Sequence, residues 1–110
     1  MFTLARPRPQ LHELLVKALK DGAGDGLKVY FQPPSDVQMA YPCIVYERAR
    51  TDTQFANNGP HIETKRYTVT IIDWNPDSRI PAEVAKLPMC THSATFAADN
   101  LNHDVYDIYF

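Results

Sequence analysis

The chain has 110 residues, 45% of them hydrophobic and 22% charged, which suits one small globular domain and excludes both a second full domain and intrinsic disorder. Thirteen acidic residues against eleven basic ones leave a formal charge of −2, with no run of three basic residues, so a general nucleic-acid-binding surface is disfavoured. Compact-chain scaling predicts a radius of gyration of roughly 13 Å. A domain of this size buries a modest share of its surface, so six Tyr, five Phe and one Trp point to burial of some aromatics against a partner.

Pro7 and Pro9 set an extended lead-in. Leu11, Leu14, Leu15, Ala18 and Leu19 then follow the i, i+3, i+4, i+7, i+8 spacing of one helix face, predicting a helix over about 10–20. Lys17 and Lys20 suit its last turn, and Gly22 stands as the stop signal before a Gly/Asp-rich exit. Leu27, Val29 and Phe31 alternate with polar or aromatic neighbours, predicting a first strand ended by Pro33-Pro34. The β-branched and aromatic run from Cys43 to Arg50, entered through Tyr41-Pro42, predicts the second. A third is predicted over 62–73, where Tyr67, Val69 and Ile71 share one parity, and Arg66, Thr68, Thr70 and Ile72 the other. Ile80, Val84 and Leu87, with Pro81 in the first turn, predict a short helix over about 79–86. Thr91–Ala97 and Val105–Phe110 read as two more strands, joined by a turn over 99–103.

The predicted order α-β-β-β-α-β-β is an α+β fold, two helices packed on one face of a mainly antiparallel sheet. The polar stretch 51–61 between the second and third strands is long for a hairpin loop and carries Phe55, so it reads as an interaction loop, with Gln54, Phe55, Asn57 and Asn58 as contact candidates. Charge is polarised as well. Residues 1–20, with Arg6 and Arg8, carry a net +3, whereas 87–110, with Asp104, carry −3, so unlike ends of identical subunits suit head-to-tail contact.

Chemistry is sparse. Cys43 and Cys90 match neither a CxxC metal motif nor a disulfide scaffold, which suits a reduced cytosolic origin, and the chain shows neither a signal-peptide core nor a membrane-spanning run. Cys90, His92 and His103 are the best local metal set, but they lack a fourth ligand, so neither a metal nor another cofactor is expected. Of the aspartates at 73, 77, 99, 104 and 107, most sit at strand ends and turns, where backbone hydrogen bonding favours Asp, and Asp107, between Tyr106 and Ile108, is expected to face away from the core on a half-exposed strand. No GxGxxG, Walker loop, GxSxG or HExxH occurs, so no catalytic residue is proposed.

Val-Tyr-Phe-Gln-Pro-Pro at 29–34, Tyr-Pro-Cys-Ile-Val-Tyr at 41–46, Arg-Tyr-Thr-Val-Thr-Ile-Ile-Asp at 66–73, Ile-Pro at 80–81, Leu-Pro-Met-Cys at 87–90 and Ala-Asp-Asn-Leu-Asn-His-Asp at 98–104 occur in that order. Together they resemble the small head–tail junction proteins of long-tailed phages, most of all the tail terminators and tail-completion proteins. The resemblance implies a hexameric ring at the head-proximal end of the tail tube, in contact with the tube protein and with a neck or head-completion protein. DNA would pass through the lumen without specific binding, and no membrane would be involved. It further implies a virion component assembled in the host cytoplasm, with no catalytic residue to carry over. A head–tail adaptor or head-closure protein of the neck is the alternative, and a small enzyme a more distant one.

Overall fold

The structure is a computed structural model that describes residues 7–24, 28–34, 38–55 and 61–110, and only the backbone of 50–55 and 61–65. Its elements are α1 (Arg8–Ala23), β1 (Val29–Phe31), β2 (Cys43–Phe55), β3 (His61–Asp73), α2 (Ile80–Ala85), β4 (Cys90–Ala98) and β5 (Leu101–Tyr109). The five strands form one sheet in the order β1-β2-β3-β5-β4, so the fold is α+β with the expected element order. All strand pairs are antiparallel except β1 with β2, which run parallel, with Val29 opposite Ile44 and Phe31 opposite Tyr46. The chain leaves β1 through a left-handed Gln32 (φ 44°) and re-enters the sheet in the same direction at Cys43.

Both helices cover one sheet face. Leu11, Leu15, Ala18 and Leu19 of α1 and Ile80 and Val84 of α2 pack on Ile44, Tyr46, Tyr67, Val69, Ile71, Tyr106 and Ile108. These are alternate residues of β2, β3 and β5 in matching register, so the period of two in each strand builds one continuous apolar floor. The parity expected for β3 holds: Tyr67, Val69 and Ile71 are buried, while Thr68 and Thr70 are half-buried on the other face. That second face also carries Val45, Val105, Asp107 and Tyr109, with Cys43 and Ile72 buried near its end.

Helix α1 is longer than its apolar stripe at both ends. Pro7 is its N-cap and Gly24, at φ 81°, its left-handed C-cap, donating its N–H to the Lys20 carbonyl at 2.7 Å. Gly22 therefore lies inside the helix instead of ending it, because close packing claims that position: a Cβ there would stand 2.8 Å from the Ile80 Cα. The expected 99–103 turn contracts to Asp99-Asn100. Both adopt positive φ, 53° and 63°, as a two-residue hairpin turn requires, so Leu101 already pairs with Ala98.

The largest departure concerns 51–61, where Thr51–Phe55 continue β2 and His61 joins β3 ahead of the expected 62–73; the two strands pair from Thr51 opposite Lys65 to Phe55 opposite His61. Neither β1, which reaches only Tyr46, nor β5, which ends opposite Arg66, accompanies this pair. It is a two-stranded arm projecting past the sheet, in a molecule with a Cα radius of gyration of 15.0 Å and principal extents of 51 × 26 × 22 Å. Alternation does not reveal 51–55, where Thr-Asp-Thr-Gln-Phe sets no apolar parity against a polar one, though Thr51 and Thr53 favour strand.

Tyr67 is fully buried, and among the described residues its hydroxyl has no hydrogen-bond partner. Such a group carries its desolvation cost uncompensated, so Tyr67→Phe is expected to stabilise the protein by about 1 kcal/mol. Thermal unfolding reads this as a midpoint raised by about 4–8 °C; a lowered midpoint would reveal a partner for the hydroxyl.

Candidate assembly interface

The predicted contact residues fall into two groups. Arg6, Asn57 and Asn58 lie outside the described residues, and of Gln54 and Phe55 only the backbone is described, at the outer end of the β2 arm. Arg8 and Asp104 are placed, on α1 and β5. Arg8, in the first turn of α1, donates from Nη1 to the Tyr46 hydroxyl at 2.8 Å and lies over the Phe31 ring at 4.6 Å, so its head group is engaged within its own fold. Asp104, on β5, accepts a bond from Thr95 Oγ1 at 2.9 Å.

The structure does not gather Cys90, His92 and His103. Cys90 and His92 sit opposite Ile108 and Tyr106 on the helix-side parity, whereas His103 pairs with Phe96 on the other face, where the two rings stack at 4.7 Å. A hairpin places residues side by side only when their parities agree, and these do not.

Two polar clusters occur that the sequence reading did not single out. In the first, His92 Nε2 lies 2.8 Å from Thr95 Oγ1, which donates its one proton to Asp104. His92 Nε2 must therefore be the donor to Thr95, so the imidazole does not act as a base toward that hydroxyl, as nucleophilic catalysis would require. The bulge between His92 and Ala94 brings this trio together, which spacing alone does not disclose. In the second, Tyr46 accepts from Arg8 and its hydroxyl lies 2.7 Å from His12 Nδ1. Burial first, and the bond and charge of Arg8 against it, leave the Tyr46 pKa raised.

His12 itself is held below its ordinary 6.5, by burial first and by the neighbouring Arg8 charge second, with Glu13 opposing. Its neutral ring thus accepts the Tyr46 proton. Because the unfolded chain binds the His12 proton more readily, stability is full above about pH 6.5 and falls as the pH drops through the lower folded value. Thermal midpoints measured across this window should decline for the native protein and decline less for His12→Gln; equal declines would remove His12 from the effect.

Burial also pushes the Cys43 thiol up to about 12, with Lys28 opposing and Asp73 adding to the shift, so Cys43 remains a protonated core group. An open cleft of about 410 Å³ lies between the end of α1 and the 73–79 turn. The polar groups of that turn serve the turn itself: Asp73 Oδ1 accepts from the Asn75 N–H and Asn75 Oδ1 from the Asp77 N–H.

The remaining surfaces are edges. Among the described residues β4 pairs only with β5, every residue from Thr91 to Ala98 is exposed, and Met89 (66%) and Phe96 (49%) are among the large apolar side chains left open to solvent. From Cys90 to Ala98 there is no Lys, Arg, Asp, Glu or Pro, the residues with which edges are usually blunted. Among the described residues, no helix is long and apolar enough to cross a membrane. No protein-family model matches the chain, and no curated protein matches it either.

Proposed function

We propose that the chain is a structural assembly protein that works by ring closure, in the manner of the phage tail terminators it resembles. It ends the growth of a tail tube at the head-proximal end and offers its other side to the neck. The observation that supports this reading is the β2–β3 arm, which extends past the reach of β1 and β5. An arm of this kind, on a body with an open sheet edge elsewhere, supplies two unlike surfaces, and unlike surfaces on identical subunits give closed rings when the rotation closes. The activity so assigned is geometric: one side of the ring matches the end of the tube, and the other does not template another tube ring.

Electron microscopy of particles assembled without the protein tests the proposal. Overlong tails are expected. Free tails of normal length would move the protein to the neck, as an adaptor or head-closure component, and unaltered particles would overturn both roles.

A further inference from the structure

We infer that the outer edge of β4 is the docking site for the β2–β3 arm of a second copy of this chain, an inference that rests on the ring reading above and specifies its contact. An unpaired strand edge presents alternating N–H and C=O groups that only an extended segment satisfies in full. β4 offers nine such residues without a charge or a proline, flanked by the exposed Met89 and bearing the exposed Phe96.

The chain carries its own complement. Among the described residues, no strand accompanies the outer side of β2 beyond Arg48, whose N–H donates to Gln32 Oε1 at 3.1 Å, and none accompanies β3 beyond Arg66 on the side where β5 lies. Both edges of the described arm strands are thus open to a further strand. The β4 edge could also meet the β4 edge of another copy, but charge argues against that. The β4–β5 unit, residues 90–109, holds Asp99, Asp104 and Asp107 with no Lys or Arg, so pairing two such units brings like charges within screening distance. The two strands of the arm with their root, 47–55 and 61–66, carry Arg48, Arg50, Lys65 and Arg66 against Glu47, Asp52 and Glu63, a net +1 (4 − 3), so arm-to-β4 pairing avoids the like-charge encounter of two β4–β5 units. Arm-to-β4 docking joins two different surfaces, so each copy both gives and receives a strand. It is the heterologous contact from which rings are built, whereas β4-to-β4 docking stops at a dimer.

Hydrogen exchange of the full-length protein, compared between dilute and concentrated solution with light scattering on the same samples, tests this. Amides of Cys90–Ala98 and of Ala49–Phe55 should both slow at least tenfold as the mass rises above the 12.5 kDa of one chain. The double variant Ala94→Lys with Ala98→Lys, which charges only exposed positions, should remain at the mass of one chain with an unchanged circular dichroism spectrum. Slowing of β4 without the arm would overturn the inference in favour of a β4-to-β4 dimer. An oligomer whose β4 exchanges as in the monomer would overturn it while leaving the ring reading in place. A single chain at every concentration overturns self-association through this edge, and the tail-length experiment then decides separately whether the terminator role survives.

Discussion

Replacing Tyr46 with alanine is expected to cost about 3–5 kcal/mol, read as a lowered urea midpoint at an unchanged slope. Tyr46 is fully buried at the meeting point of three elements. Its ring lies 4.9 Å from Phe31 of β1, 5.6 Å from His12 of α1 and 6.2 Å from Tyr67 of β3. Truncation opens a cavity beneath the first turns of α1 and leaves Arg8 and His12 without the hydroxyl between them. Tyr46→Phe keeps the ring and removes only that hydroxyl, so it should cost about 1 kcal/mol. Equal losses for the two variants would mean that the hydrogen bonds, not the packed ring, hold α1 to the sheet.

The second large effect belongs to Gly22. A Cβ built there stands 2.8 Å from the Ile80 Cα and 3.0 Å from both its amide nitrogen and its Cγ1, so a side chain meets backbone and not the end of a flexible neighbour. Ile80 opens α2, a helix of only six residues whose buried Ile80 and Val84 are its hold on the core. Moving it aside therefore disturbs the core. Gly22→Val is expected to destabilise by about 1–3 kcal/mol, with Gly22→Ala falling short of this because alanine recovers about 1 kcal/mol of helix propensity. Gly24 provides the contrast. It has positive φ and nothing within 4 Å of a built Cβ, so Gly24→Ala is limited to about 1 kcal/mol of backbone strain. A greater loss at Gly24 than for Gly22→Val would show that the helix end, and not the α1–α2 contact, governs this corner.

Both effects arise where long-range contact overrides a local signal. Gly22 reads in the sequence as a helix stop, and Tyr46 as one aromatic among six tyrosines. Register supplies what spacing lacks: it sets Tyr46 beside Val69 and Phe31, and it sends His92 and His103 to opposite faces. The candidate site was legible in part. The stretch around Phe55 stood out as too long for a simple turn, yet its strand character was hidden, because Thr51-Asp-Thr-Gln-Phe55 shows no alternation of apolar and polar residues.

The sequence by itself determined the α+β class, the order of seven elements and the parities that line the core, since each follows from a local period of 3.6 or 2 set against one apolar interior. Only the tertiary structure decided the parallel pairing of β1, the projecting arm, the uncharged open edge of β4 and the close approach of α1 to α2. Those depend on which strands become neighbours and where each partner ends, and such pairings between distant segments leave no period in the chain.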